Sequence, residues 1–176
     1  MAFSKIIAES MDLTDTYNFT GTLQQNGAGI GGANTPNFYA YQASATTLSN
    51  NSFTKVDMSN EVFDSAGAYS SSRFTVPSGQ AGKYFFRFSI GINSSSDASA
   101  LYPILYINGA ENTNGTRKRF YHHGSDASIQ VYGQSALYNA GVGDYFEVYG
   151  FQNSGGNMNT YNSSQDSFFL GYKIIE

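Results

Sequence analysis

The stretch Gly82-Lys83-Tyr84-Phe85-Phe86-Arg87-Phe88-Ser89-Ile90 narrows the possible folds of this chain more than any other. Tyr84, Phe86 and Phe88 share one parity, while Lys83, Phe85 and Arg87 share the other. Period two is the signature of a β-strand, whose successive side chains point to opposite faces. Just before it, Arg73-Phe74-Thr75-Val76 reads as another strand that brings Phe74 to the buried side. Pro77, Gly79 and Gly82 punctuate the connection. Because Phe85 adds an aromatic on the second parity, the strand has apolar side chains on both faces, as in a sheet covered on both sides.

The same alternation recurs along the chain. It predicts strands near 38–44, 53–57, 60–64, 73–76, 82–92, 100–107, 117–123, 127–138, 144–152 and 167–175. About ten short strands at this spacing indicate an all-β sandwich or barrel. There is no sustained helical period beyond a weak turn near 4–10, and no tandem repeat. Residues 1–35 differ: they are a polar lead ending in Asn-Gly-Ala-Gly-Ile-Gly-Gly-Ala-Asn-Thr (26–35), which reads as a linker. The expected division is therefore a lead over 1–35 and a head over 36–176. The lead lacks the apolar surface to fold alone.

With 14 Phe and 14 Tyr in 176 residues, the head can fill a substantial core. Charged residues are only 12% of the chain, about half the usual ~25%. The surface must then be made of Ser, Asn, Thr, Gln and Gly, and salt should affect it little. A formal charge of −4 argues against nucleic-acid binding, which needs clustered Lys and Arg. No cysteine is present, so disulfides, thiol chemistry and Cys-based zinc sites are excluded. The opening fifteen residues contain no apolar run of signal-peptide type. No stretch reaches the ~18 apolar residues of a membrane helix. The expectation is a protein made in a cytoplasm, not exported by the usual route and not inserted in a membrane.

Few residues suggest chemistry. Gly27-Ala28-Gly29-Ile30-Gly31-Gly32 fits a dinucleotide-loop pattern, but no strand precedes it and no amphipathic helix follows, so the linker reading is preferred. His122 and His123 are strand neighbours facing opposite sides, and one chain cannot easily place both on one metal. Three copies of one of them around a three-fold axis could, but ordinary strand residues are the better reading. Arg117, Lys118 and Arg119 form either a small anion patch or, more simply, a charged strand edge. No pair of acids stands out for proton transfer, and no nucleophile elbow occurs. Matches to the glycosylation pattern at Asn18, Asn50, Asn93, Asn114 and Asn162 follow from composition. No catalytic residue, metal site or cofactor is expected. Recognition, if any, would fall to the polar loops 92–100, 108–116 and 153–166, whose Tyr, Ser, Gly and Asn suit adaptable contacts. Tyr161, Asn157 and Asn114 are the candidates there.

Taken in order, these strands resemble a known family. Phe63, Asp64, Tyr69, Phe74, Thr75, Pro77, Gly82, Tyr84, Phe86 and Phe88 match the central signature of the complement-component-one-q globular heads, relatives of tumour necrosis factor. The interval from Pro77 to Gly82 looks about two residues longer than that family's, which bears on the turn and not on the strands. Residues 36–44 resemble the family's first strand, 53–56 its second, 105–111 its Asn-Gly turn, 142–150 its Gly-Asp strand entry and 166–175 its last strand. The resemblance spans most of 36–176. It implies a ten-stranded jelly roll, a homotrimer closed by aromatic faces, partner recognition through loops, and no catalysis. Phe38, Tyr41, Phe74, Tyr84, Phe86, Phe88, Phe168 and Tyr172 would be its core and trimer aromatics.

The lead is unlike that family's usual signal peptide and collagen stalk. Residues 11–29 are instead similar to the short N-terminal leads of bacteriophage virion proteins, especially those of marine phages. That resemblance implies a non-enzymatic virion protein anchored through Met11, Leu13, Tyr17 and Phe19 to a major capsid or tail protein. Two roles compete. A capsid decoration (cement) or short head-fibre protein suits a chain with no shaft, and is preferred. A tail-fibre or tail-tip protein, contacting a host surface glycan or protein, suits the Tyr- and Asn-rich loops. A secreted ligand-binding module of the same fold is the third possibility.

Overall fold

The computed structural model describes residues 24–25, 28–29, 34–94, 96–112, 117–123 and 129–174. The chain divides into a first unit, Met1–Ala33, and a second, Asn34–Glu176. In the first, β1 (Gln24–Gln25) and β2 (Ala28–Gly29) pair as an antiparallel hairpin inside the stretch read as a linker. The anchor candidates Met11, Leu13, Tyr17 and Phe19, and the helical turn near 4–10, lie outside the described residues.

The second unit is an all-β jelly roll of two sheets. The first sheet contains β5 (Thr54–Lys55), β7 (Tyr69–Ser70), β8 (Arg73–Thr75), β10 (Ala98–Ile107), β11 (Ala110–Glu111), β12 (Phe120–His122) and β14 (Tyr145–Gln152). Its order is β11-β10-β14-β8-β7, with β12 also on β10 and β5 on β14. The second sheet contains β3 (Asn37–Tyr41), β4 (Thr47–Leu48), β6 (Asn60–Asp64), β9 (Gly82–Ile92), β13 (Gln130–Ala140), β15 (Met158–Tyr161) and β16 (Phe168–Lys173). Along one side of β9 run β16, then β3 and β6, with β15 and β4 beyond the end of β16; β13 covers the other side. Every strand ladder is antiparallel.

The parity of β9 decides the packing. Tyr84, Phe86, Phe88, Ile90 and Ile92 are all fully buried. Phe38 and Phe169 join them from neighbouring strands, and Phe74, Leu105, Phe146 and Val148 meet them from the opposite sheet. Phe38 stacks on Phe74 with centroids 4.8 Å apart, and Phe86 lies 4.4 Å from Phe146. Burying each such ring contributes roughly 1.5–3 kcal/mol. Gly171 makes room for this cluster: a Cβ there would lie 2.5 Å from the Phe86 ring and 2.9 Å from that of Phe38. Tyr84 keeps its polar end satisfied by donating its hydroxyl to the Gln80 carbonyl at 2.7 Å.

Two tight turns show how local chemistry fixes register. Asn108 (φ 53°) and Gly109 (φ 77°) join β10 to β11 with both central residues left-handed, the type I′ geometry for which Asn-Gly is suited. Ser71 (φ 51°) and Ser72 (φ 56°) do the same between β7 and β8 without a glycine. The Ser72 hydroxyl offsets the strain. It accepts from the Met58 amide at 2.9 Å and donates to Asp57 at 3.1 Å.

Two expectations need correction. The span 153–166 is not one loop, since β15 lies within it, held by pairing to the end of β9 and to β4. Residues 117–119 precede β12 and are not part of a strand. The polar loops divide between the ends of the head: the connections after β9 and β14 flank one end, while the Asn108–Gly109 turn lies at the other beside Asp144 and Tyr145, and 113–116 lie outside the described residues.

Candidate functional site

The outward parity of the second sheet presents a broad aromatic face. Tyr39, Phe85, Phe168, Leu170 and Tyr172 are half-buried there, and Phe63 from β6 is 49% exposed. Tyr39 lies 6.2 Å from Phe63 and 6.1 Å from Phe168, while Phe85 lies 5.4 Å from Tyr172. At the β13 side the face continues with Val131 and Leu137, the latter 68% exposed. Apolar area this continuous is uncommon on the surface of a monomer. Hollows indent it. One of about 390 Å³ lies between Tyr39, Phe63, Leu170 and Tyr172, and another of about 460 Å³ lies around Arg87. Tyr41, Phe168 and Tyr172 belong to this face, whereas Phe38, Phe74, Tyr84, Phe86 and Phe88 are core.

The first sheet also has an aromatic outer face, but its rings pack on one another. Tyr106 and Tyr149 stack at 3.8 Å, Tyr102 stacks on Phe151 at 5.2 Å, and Phe53 sits 5.1 Å from Phe151. The charges there are matched. Glu147, almost wholly buried, accepts from Lys55 Nζ at 2.7 Å and Arg73 Nε at 2.9 Å. Burial alone would push its carboxyl up, but the hydrogen bonds from Lys55 and Arg73, with their charges, hold it below the usual carboxylate range. The Arg73 guanidinium also lies 4.0 Å over the Tyr145 ring. Burial raises the hydroxyls of Tyr106 and Tyr149, with Glu111 adding to the first and Glu147 to the second. Arg117, from the basic run, pairs with Glu111 and covers Tyr102 at 5.8 Å. Lys118 lies 5.7 Å over Phe120. Two residues of the basic run thus lie over aromatic rings, and all three are exposed.

The remaining candidates disperse. Tyr161 ends β15, and its backbone carbonyl accepts the Ser167 hydroxyl at 2.6 Å, so it is a strand residue and not a loop tip. Asn157 is exposed, and Asn114 lies outside the described residues. His122 is buried, with Nδ1 2.9 Å from the Tyr132 hydroxyl and Nε2 3.1 Å from the Ser94 carbonyl. Both ring nitrogens are thereby used within one subunit, which contradicts a shared metal on a three-fold axis through His122. Among the described residues no group of three or more acids and histidines is placed to hold a metal ion. Phe63, Leu170 and Arg87 escaped the reading of the sequence as site residues. The alternation of Phe168-Phe169-Leu170 and of Phe85 with Arg87 was the signal that placed them outward.

No family model and no curated protein matches the sequence. Solved structures do match. Murine APRIL at pH 8.0 aligns with a TM-score of 0.58 at 12% identity, over 78% of this chain and 98% of that one. The globular domain of zebrafish complement 1qA gives 0.52 at 14% identity, over 80% and 98%. The Eiger TNF of S. frugiperda gives 0.53 at 10% identity, over 80% and 92%. At such identities the likeness is one of fold, and the fold is the jelly roll of the tumour necrosis factor and complement heads.

Proposed function

We propose that this chain is a non-enzymatic bacteriophage virion protein whose head assembles as a homotrimer and decorates the capsid as a cement or short head-fibre protein. The observation that carries the reading is the outer face of β9, β16, β3 and β6. A strip holding Tyr39, Phe63, Phe85, Phe168, Leu170 and Tyr172 gains by leaving water, and copies of itself are the partner always at hand. The supports for a virion role are the low charge, the absence of cysteine and the phage-like lead at 11–29. The lead would then be the anchor, with residues 1–35 docking on a capsid or tail protein and the head carried outside. Tail-tip attachment to a host glycan is the competing role, favoured by the loops 92–98 and 153–157, which share one end of the head. A secreted module is favoured by the fold neighbours alone.

Imaging of purified particles, with the protein located and its copies counted, tests this reading. Three-fold capsid positions at high copy would support decoration. A few copies at a tail tip would select the attachment role, and absence from particles would end both.

A further inference from the structure

On the outer face of the second sheet, Arg87 is a cation in a hollow. The hollow of about 460 Å³ is open, its lining includes Phe85, Val131, Gly133, Ser135, Gln165 and Phe168, and Arg87 itself is exposed. The guanidinium lies 5.5 Å over the Phe168 ring, and no carboxylate pairs with it among the described residues. This sets it apart from Lys55, Arg73 and Arg117, each of which has an acid within salt-bridge distance. The Cβ of Asp166 lies close to Gly91, two pairs further along β9, and its carboxylate makes no ion pair with Arg87 among the described residues. The proton of Ser89 is committed to the Asp166 backbone carbonyl at 2.6 Å. What remains to donate into the hollow is the Arg87 fork, the Ser135 hydroxyl and the Gln165 amide.

We propose that this hollow is a carboxylate-binding site, in which Arg87 takes both oxygens of the acid while its apolar part lies between Phe85, Val131 and Phe168. The chemistry follows from the parts. Guanidinium and carboxylate match as parallel two-point partners, and the Phe168 ring lies within cation–π reach of the fork. Because Arg87 is exposed, the pair stays partly solvated, and the apolar lining contributes contact with the apolar part of the acid. The inference rests on the hollow's geometry and stands whether or not the face trimerises. In an assembly, the same chemistry would answer the need of a covered guanidinium for a counter-charge. The carboxylate then has two possible sources, an acidic side chain of a second copy or a free small acid.

Sodium benzoate is the probe, with benzamide as the uncharged control and sodium chloride matching ionic strength. The full chain and its Arg87→Gln and Ser135→Ala variants are followed by thermal unfolding and sedimentation. If the site takes a free acid, benzoate raises the melting temperature of the wild type in a saturable way and benzamide does not. Arg87→Gln should then weaken benzoate binding by at least about tenfold, with Ser135→Ala giving a smaller loss. If a second copy fills the site, benzoate instead dissociates the wild-type assembly, and Arg87→Gln weakens that assembly by a similar factor. A wild type that is monomeric yet stabilised by benzoate keeps this site and rejects the trimer. Benzoate acting no differently from benzamide and chloride on both stability and assembly overturns the site, and so does an equal benzoate response in Arg87→Gln.

Discussion

The two outer faces of the sandwich use the same residue types to opposite ends. On the first sheet, Tyr106 stacks on Tyr149 and Tyr102 on Phe151, Phe53 lies tilted against them, and Glu147, Lys55, Arg73, Glu111 and Arg117 close their charges within the chain. On the second, rings stand beside one another at about 5–6 Å, hollows open between them, and Arg87 meets a ring but, among the described residues, no acid. Aromatic content therefore does not mark an interface by itself. The mark is whether rings and charges have found their partners within one copy.

That contrast can be broken by substitution, beginning with its foundation in β9. Phe86→Ala should cost about 3–5 kcal/mol in denaturant unfolding, whereas Phe85→Ala, one residue away on the open face, should cost the isolated head less than about 1 kcal/mol. Equal costs would mean that the open face is packed within the monomer. Next, Leu170→Asp should weaken self-association by about a hundredfold or more in sedimentation while far-ultraviolet dichroism stays unchanged, because a buried unpaired charge is expensive. An unaltered assembly would move the interface elsewhere.

On the closed face, Glu147→Gln should cost about 1–2 kcal/mol, the size of charge-assisted hydrogen bonds whose partners are partly solvated. Since the folded carboxyl lies below its usual range, its contribution is present above that range and fades as pH falls through the folded value. Acid titration of stability should therefore be shallower in Glu147→Gln than in the wild type. Among the buried polar groups a smaller effect belongs to Tyr84→Phe, at about 1 kcal/mol for the bond to Gln80. Burial pushes the Tyr84 hydroxyl up from 10.0 to about 12. Its contribution is whole below the ordinary value and lost as pH rises through the folded one, and the variant should lack that alkaline loss.

Much of this architecture could be read from residues alone, and the reason is local. The alternation in 82–90, the Asn108–Gly109 turn and the run Phe168-Phe169-Leu170-Gly171-Tyr172 each state their geometry within a few positions. What escaped depends on distant partners. β15 is short and polar, and becomes a strand because Thr160 pairs with Ile92 and Met158 with Leu48. Buried Gln42 and Thr160 bond across 118 positions, and Gln152 reaches the Leu48 carbonyl across 104. The two faces escaped for the same reason: whether an outward ring is covered depends on which loop or charge reaches it. Arg117 reaches Tyr102, and among the described residues no acid pairs with Arg87.

The antiparallel seam between β3 and β16 has a mechanical meaning. Asn37 pairs with Tyr172 at one end and Tyr41 with Phe168 at the other, while β6 grips the far edge of β3. The chain enters β3 from Asn34, at the end of the head away from the 92–98 loop. Tension drawn in at Asn34 and resisted at that loop runs along β3 and not across it. Since ladder hydrogen bonds lie perpendicular to the strands, such a pull shears them all together and cannot peel them singly. A tether at this point would hold against drag far better than one attached across the strand at a sheet edge.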